Sequence, residues 1–310
     1  MIESLFTLAA SNPVDHVVNH AWIVNENGVW LWSAQQTNLV IAGVICIVLG
    51  TWLAKQVGTG DEAEGNRRYL TKNPFAHMIE VIALYLRESV VRPLLHERTD
   101  RFMPYLWSLF FFVLVNNMLG LVPLLDAWFI IDNDSYKAAA APIGGTATQS
   151  IFVTAVLATF SFFVINVAGV RELGVKGYLA HLTAGSPWYL WPLMIPIEIL
   201  GSFIKPIALA IRLFANMTAG HILLATLFMF VGLALKEGGP PIFLGAPVTL
   251  ISSLGAIAIY FLEIFVGFLQ AFIFMFLTAV FIAQLSHHHD DDHAHEGHHT
   301  EDSAAAPATA

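Results

Sequence analysis

Long apolar runs separated by short polar stretches dominate the pattern along this chain. The runs that predict membrane-spanning helices cover about residues 38–54, 103–125, 150–170, 188–235 and 247–285. Between the first two runs, residues 74–98 mix apolar residues with charged ones, among them Glu80, Arg87, Glu88 and Arg92. Such a mixture is typical of an amphipathic helix lying on a membrane surface. The pattern therefore predicts an all-α polytopic membrane protein with about five crossings and one surface helix.

The last two apolar runs are longer than a crossing requires. As helices, residues 188–235 would be about 70 Å long and residues 248–285 about 57 Å long, whereas the hydrocarbon core of a bilayer is about 30 Å thick. Each run either folds back on itself or lies strongly tilted. Neither contains an interior polar turn, although Pro192, Pro196 and Pro206 are able to kink the first. We therefore expect two long, strongly tilted helices, a geometry that suits wrapping around a large curved partner.

The two ends of the chain differ from the membrane region. Residues 1–37 form an external N-terminal segment with three tryptophans (Trp22, Trp30, Trp32), which is typical of an interfacial entry, and they carry no signal-peptide pattern. Residues 286–310 are rich in His and Asp and are predicted to be disordered. This tail holds seven of the 13 histidines. Weak binding of transition metals and simple solvation are both open interpretations of it.

Composition and charge agree with a membrane protein and orient it. The 310 residues are 56% hydrophobic and only 12% charged, with a mean hydropathy of +0.66. The single cysteine, Cys46, cannot form an internal disulfide. Eight of the 14 Lys and Arg residues lie between residues 55 and 101, and Arg171 and Lys176 fall on the same side by parity. The positive-inside rule makes this side cytoplasmic, with the N-terminus outside and the C-terminal tail inside.

A polar stripe follows the fourth run. On an ideal helix, three polar residues lie within about 40° of Arg212: Glu198, Lys205 and Asn216. Three small residues border them: Ala208, Ala215 and Ala219. In one interpretation Arg212 pairs with a carboxylate of its own chain. In the other it is a gate, because an arginine keeps its proton, attracts a carboxylate of another chain and bars cations. The small border favours the gate, since it lets a neighbouring helix approach closely.

The fifth run carries Glu263 and Gln270, seven residues apart on one helix face. An intramembrane Glu is a functional candidate by default. A satisfied polar pair of Glu263 with His221, which points about 180° away from Arg212, is the alternative. The two interpretations overlap, because an imidazole beside a carboxylate is also how a proton path is built.

Two adjacent amides, Asn116 and Asn117, lie near the end of the second run. With the nearby Asp126 they either line a water-filled entrance or form hydrogen bonds between helices. Both interpretations are open.

Four segments carry a resemblance to a known family: IEILGSFIKPIALAIRLFANMTAGHILL, LQAFIFMFLTAVFI, PYLWSLFFFVLVNNMLGLVP and GGTATQSIFVTAVLA. The chain resembles subunit a of F-type ATP synthases, the membrane stator that conducts ions beside the rotating ring of c subunits. The resemblance covers most of residues 100 to 285 in the family's order. The segment around Arg212 is its most specific part.

The resemblance implies roles for the candidate residues. Arg212 is similar to the family's essential arginine that faces the ring carboxylate, and Glu198 to the acidic residue near the cytoplasmic side of the path. Gln270 matches the polar residue that faces the arginine, and Asn216 belongs to the same polar stripe.

The resemblance also implies an outer access path. His221 and Glu263 occupy two positions that many bacterial members fill in the opposite order, and Asn116 falls where members carry polar residues near that path. Protons would enter here, neutralise a ring carboxylate, and leave near Glu198 after nearly a full rotation. The His/Asp tail and the acidic linker at 61–64 are not family features.

The implied setting is a bacterial inner membrane, with the c-ring, b-type peripheral stalk subunits and the catalytic head as partners. The 310 residues contain no GxxxxGK[ST] phosphate loop, so we expect ATP chemistry on another subunit. No cofactor, metal or nucleic acid is expected.

Two other classes compete with this assignment. A self-contained ion or metal transporter would show inverted repeats and an internal ion site, whereas the polar stripe faces outward. A membrane-embedded enzyme would need a nucleophile or metal constellation, and the only His/acid cluster lies in the tail.

Overall fold

Helices form nearly all of the regular structure. The computed structural model describes residues 19, 21–25, 28, 30–56, 71, 73–122, 147–182, 188–235 and 242–301. In chain order its helices are α1 (Ala34–Gln56), α2 (Pro74–Tyr85), α3 (Arg92–Leu95), α4 (Thr99–Leu121), α5 (Ile151–Leu182), α6 (Trp191–Leu235) and α7 (Ile242–Glu301). A π-helical turn, Leu86–Val91, joins α2 to α3. Short 3-10 turns precede α4, α5 and α6: His96–Arg98, Ala147–Gln149 and Trp188–Leu190.

Five segments among the described residues are long and apolar enough to cross a membrane: Ala34–Gln56, Pro74–Leu121, Ile151–Arg171, Ala210–Leu235 and Phe243–Gln284. Many of their large apolar side chains are exposed, which is expected for helices surrounded by lipid rather than water. The predicted all-α polytopic class is confirmed. Residues 57–70 and 123–146, which include the acidic linker and Asp126, lie outside the described residues, as do residues 1–18.

A small hairpin precedes the first crossing and was not predicted. Strands β1 (Ala21–Val24) and β2 (Trp30–Ser33) pair antiparallel, and the Gly28 amide donates to the Asn25 carbonyl at 2.9 Å in the turn between them. Gly28 has a φ of 75°, a conformation that glycine adopts at little cost. The tryptophan-rich entry is therefore a two-stranded element directly followed by α1.

The predicted surface helix is divided into short pieces. It begins at Asn73, whose side chain accepts hydrogen bonds from the amides of Phe75 and Ala76, with Pro74 at the first helical position. It ends at His96, whose φ of 46° turns the chain into α4. The charged positions form exposed ion pairs, in which Arg87 contacts both Glu88 at 2.7 Å and Asp100 of α4 at 2.6 Å. These contacts tie the two sides of the turn together.

The hydrophobic core lies mainly between α4 and α7. Its largest fully buried side chains include Phe110, Phe274, Met275 and Leu213. Leu86, Val91 and Leu95 from the π-helical turn and α3 pack against the same cluster. The apolar side of the predicted surface helix therefore covers part of the α4–α7 core.

Helices α6 and α7 are each continuous. The 45 residues of α6 run without a break past Pro192, Pro196 and Pro206, so the alternative that the fourth run folds back on itself is excluded. The described part of α7 from Ile242 to Gln284 has no break either. The expectation of two long helices agrees with these bounds, while their tilt in a bilayer stays a prediction.

The end of α7 differs from the predicted boundary. Its backbone is helical through Glu301, whereas residues 286–310 were predicted to be disordered. Residues 286–296 contain no Gly or Pro that would terminate a helix already formed by the preceding apolar run. Residues 302–310 lie outside the described residues.

Candidate functional site

Arg212 lies on the outward side of α6. Its side chain is exposed, whereas Ala210, Leu213 and Met217 of the same helix are buried against the rest of the chain. On an ideal helix these three residues lie about 100° to 160° away from Arg212. Packing of α6 against the core therefore turns the guanidinium away from that core.

The internal ion-pair interpretation of Arg212 finds no support in the described part of the chain. The ion pairs seen there join His77 to Glu80, Arg87 to Glu88 and Asp100, and Arg92 to Glu88. None of them involves Arg212. An exposed guanidinium on a helix this apolar needs a negative partner, because an isolated charge in a bilayer is costly.

Small side chains flank Arg212 on the same outward face. Ala208, Ala215 and Ala219 are all exposed, as the helical spacing predicts. Glu198 is half-buried near the beginning of α6, and the side chain of Lys205 lies outside the described ones. Because the side chains that flank Arg212 are small, another helix is able to approach the outward face of α6 closely.

The buried side-chain amide of Gln270 on α7 is hydrogen-bonded to the polar stripe of α6. Gln270 is 2% exposed, and its Oε1 accepts a hydrogen bond of 3.3 Å from Asn216 Nδ2. Asn216 lies one helical turn after Arg212. This bond connects α7 to the Arg212 face, while Gln270 Nε2 has no hydrogen-bond partner among the described atoms.

Glu263 is buried between α6 and α7. Its side chain is 5% exposed, and neither carboxyl oxygen has a hydrogen-bond donor among the described residues. The carboxyl group lies directly on Gly220, where an added Cβ would be only 2.2 Å from Glu263 Oε1. Gly220 immediately precedes the half-buried His221. The structure thus brings the Glu263 carboxyl to the turn of α6 that carries His221, without a hydrogen bond that would satisfy its oxygens.

The two adjacent asparagines of α4 have different surroundings. Asn117 is fully buried, donates from Nδ2 to the Gly267 carbonyl at 3.0 Å, and accepts from Thr148 Oγ1 at 3.1 Å. Asn117 therefore forms the interhelical hydrogen bonds that were one of the two predicted alternatives. Asn116 is also buried, but its Nδ2 donates to Phe112 of its own helix at 2.8 Å. Its Oδ1 has no partner among the described atoms.

The polar residues of α6 and the glutamate beside it occupy three levels along the helix. Glu198 lies 14 residues before Arg212, or about 21 Å along the axis, and His221 with Glu263 lies nine residues after it, or about 14 Å. Carboxyl and imidazole groups exchange protons, whereas the guanidinium stays charged. The arrangement therefore places a proton-exchanging group on each side of a permanent positive charge.

Sequence reasoning missed the residues that hold this arrangement in place: Gly220, Gly267, Asn117 as a donor to α7, and Thr148. Glycine inside a helix is unfavourable unless packing requires it. In the sequence, the signal that could have identified the close helix contacts was the presence of glycines near polar positions of α6 and α7. A Cβ at Gly267 would lie 2.9 Å from Met118 Cε.

Within the described part of the chain, no group of three or more His, Cys, Asp or Glu side chains is placed to hold a metal ion. Residues 285–301 are described only as backbone and residues 302–310 are not described, so this finding does not extend to the His-rich tail.

Comparisons with known proteins agree on one family. The family described as ATP synthase A chain matches residues 37–283, a range that contains every candidate site residue. The chain is 44% identical over 226 residues to "ATP synthase subunit a" of Chlorobium phaeobacteroides (strain BS1), which covers 73% of this chain and 57% of that relative.

Two further relatives carry the same description. "ATP synthase subunit a" of Myxococcus xanthus is 40% identical over 240 residues, covering 75% of this chain and 69% of the relative. That of Pelodictyon phaeoclathratiforme is 36% identical over 283 residues, covering 91% and 69%. The chain thus spans between about half and two thirds of the length of the curated relatives it matches.

Proposed function

Since this chain belongs to the ATP synthase A chain family, we propose that it is the proton-conducting stator subunit of an F-type ATP synthase. The observation that carries the proposal is Arg212. It is an exposed, permanently charged group on the outward face of α6, flanked by small residues and without an acidic partner in the described part of the chain. Such a surface suits a helix of another subunit that brings a carboxylate to the guanidinium.

Arg212 acts on the ring carboxylate through charge. A cation within about 4–6 Å of a carboxyl group favours its ionised form. A protonated ring carboxyl that arrives at Arg212 therefore releases its proton, and the ionised carboxylate is held until it meets a new proton. The same positive charge repels protons that would pass directly from one side of the membrane to the other.

Glu263 and His221 supply protons from the outer side, with Asn116 near this path. A buried carboxyl without hydrogen-bond donors is unfavourable in its ionised form. Glu263 therefore readily takes up a proton that reaches it and passes it on. The burial of Glu263 and its contact with Gly220 support this role.

Glu198 receives protons on the inner side. It lies about 21 Å along α6 from Arg212, on the side opposite to His221. Because the inner and outer groups are separated along the helix, a proton reaches one from the other only on a rotating ring carboxyl. Proton flow is then coupled to rotation, which drives ATP synthesis in the catalytic head.

The remaining parts of the proposal concern the setting. The c-ring, b-type stalk subunits and catalytic head are the partners, α6 and α7 lie strongly tilted along the ring, and the membrane is the bacterial inner membrane. The N-terminus lies outside and the C-terminal tail in the cytoplasm. One charge that crosses 100 mV yields about 2.3 kcal/mol, so several protons pass per ATP.

The test of the proposal is Arg212→Ala in the whole complex. We expect ATP-driven proton uptake into inverted vesicles to fall by about 100-fold or more, as when a preorganised charged group is removed from a reaction centre. Passive proton leak should be unchanged or increased, and assembly with the c-ring should be retained. Leu233→Ala, at an exposed apolar position of the same helix, is the matched control and should pump normally.

Normal pumping by Arg212→Ala would make the arginine structural and overturn the mechanism. Proton transport by the purified chain alone, without ring subunits, would instead favour a self-contained transporter.

A further inference from the structure

A kink in α5 brings together two polar residues that a straight helix would keep apart. Gly174 has φ 68° and ψ 169°, so the helical backbone is interrupted there. Tyr178, beyond the kink, donates a hydrogen bond from Oη to Oδ1 of Asn166, before it. On a straight helix these residues would be separated by about 18 Å along the axis. The backbone conformation at Gly174, which glycine tolerates best, makes the contact possible.

The amide of Asn166 is held from both sides. Its Nδ2 donates to the Phe162 carbonyl at 2.7 Å, which leaves Oδ1 aimed at the Tyr178 hydroxyl. The phenolic proton of Tyr178 is therefore used in the hydrogen bond to Asn166 Oδ1. The lone pairs of Tyr178 Oη remain as acceptors toward the surroundings.

This pair lies at the level of Glu198 on the neighbouring helix. Phe162 of α5 stacks on Phe203 of α6, with ring centroids 5.0 Å apart and an interplanar angle of 27°. Asn166 lies four residues beyond Phe162, and Glu198 five residues before Phe203. On two antiparallel helices both offsets run in the same direction from the stacked rings. They amount to about 6 Å for Asn166 and about 7.5 Å for Glu198, so the two residues lie at nearly the same level along the helices.

The charge of Glu198 reaches Tyr178. Burial raises the pKa of the Tyr178 phenol, and the negative charge of Glu198 raises that pKa further. Both effects disfavour the phenolate, so Tyr178 keeps its proton and acts by accepting hydrogen bonds. Sequence analysis singled out neither Tyr178 nor Asn166.

We propose that Tyr178, oriented by Asn166, is a positioning residue of the inner proton path. Its Oη accepts a hydrogen bond from the group that carries the departing proton at Glu198, namely the protonated carboxyl or a water that it has protonated. Asn166 and Gly174 contribute to the same arrangement. Asn166 orients the Tyr178 hydroxyl, and the backbone conformation at Gly174 brings Tyr178 back toward Asn166. This inference rests on the proposed function, in which Glu198 receives protons on the inner side.

The first test asks whether Tyr178 lines a path open to the cytoplasm. Cys46 is the only cysteine of the chain, so Cys46→Ser provides a cysteine-free background. In this background Tyr178→Cys, Asn166→Cys and Val167→Cys are compared within the whole complex. Val167 is the matched control, since it adjoins Asn166 in sequence but is exposed on another face of α5. A charged, membrane-impermeant thiol reagent is added to the outside of inverted vesicles, which is their cytoplasmic face.

We expect the reagent to abolish ATP-driven proton uptake in Tyr178→Cys and to lower it in Asn166→Cys, with no effect on Val167→Cys. Equal insensitivity of all three variants, with the complex assembled, would overturn the assignment of Tyr178 to the inner path.

The second test separates positioning from packing. Tyr178→Phe keeps the ring and removes only the hydroxyl, so assembly should be retained while proton uptake falls about three- to tenfold, as for a lost hydrogen bond. In a Glu198→Gln background the same substitution should have little further effect, because the two residues act on one proton. Full proton uptake by Tyr178→Phe would contradict the proposal. So would a double variant in which the fold-losses of Tyr178→Phe and Glu198→Gln multiply as independent effects. If Arg212→Ala also pumps normally, the proposed function itself fails; if only the Tyr178 tests fail, that function stands.

Discussion

At the scale of single residues, the absence of a side chain at Gly220 determines where the carboxyl group of Glu263 lies. Glu263 occupies the space that a Cβ at this position would take, at 2.2 Å from Oε1. Since Gly220 adjoins His221, the glycine brings the carboxyl close to the turn of α6 that carries the imidazole. A larger residue would force the Glu263 side chain to a different rotamer.

We expect Gly220→Ala to impair proton transport with little loss of assembly. The atom that must move is the far end of a flexible side chain, so the fold tolerates the change. Displacing a reacting group by about 1 Å nevertheless costs up to about 100-fold in rate. ATP-driven proton uptake by the whole complex measures the effect.

Gly50→Ala is the control for this substitution. Gly50 lies in α1, a different crossing helix, and an added Cβ there meets nothing within 4 Å. Equal pumping by both alanine variants would show that the position of the Glu263 carboxyl against Gly220 is not needed for transport.

At the scale of elements, the register of α7 against α4 depends on a buried hydrogen-bonded bridge. Asn117 of α4 donates to the Gly267 carbonyl of α7 and accepts from Thr148, which precedes α5. Gly267 lies one turn after Glu263. Asn117 therefore connects three segments of the chain close to the Glu263 carboxyl.

Asn117→Ala should destabilise the protein by about 2–4 kcal/mol, because it removes two buried hydrogen bonds and leaves the Thr148 hydroxyl without its acceptor. The temperature at which the chain dissociates from the purified complex measures this loss.

Asn116→Ala provides the comparison for stability. Asn116 bonds only to a carbonyl of its own helix among the described atoms, and its buried Oδ1 has no partner there. We expect this variant to lose less than about 1 kcal/mol. Equal destabilisation by the two substitutions would contradict the bridging role of Asn117.

At the scale of the whole molecule, five apolar helical segments and the distribution of basic residues make the orientation of the chain testable. An odd number of crossings places the termini on opposite sides of the membrane. The concentration of Lys and Arg between residues 55 and 101 predicts which side is cytoplasmic.

In a Cys46→Ser background, Ser303→Cys should react with an impermeant thiol reagent added to inverted vesicles, whereas Ser4→Cys should not. Both should react after detergent opens the membrane. Labelling of Ser4→Cys in sealed inverted vesicles would reverse the predicted orientation or exclude an odd number of crossings.

Local pattern predicted the helices and the face of α6 that carries Arg212, because both depend on residues within a few turns of one another. The continuous length of α6 and the exposure of Ala208, Ala215 and Ala219 follow from spacing along one helix. At residues 286–301 the backbone continues α7, whereas the composition predicts disorder from residue 286, so the disorder of the tail stays a prediction.

The sequence by itself therefore determined the membrane class, the long helices, the outward polar stripe and the choice of candidate residues. Only the tertiary structure decided that Glu263 packs on Gly220, that Asn117 rather than Asn116 bridges two helices, and that Tyr178 returns to Asn166. Two of these contacts join different helices, and the third crosses a kink in one. Periodicity describes each helix separately, whereas interhelical contacts depend on how the helices pack and on backbone turns such as the one at Gly174.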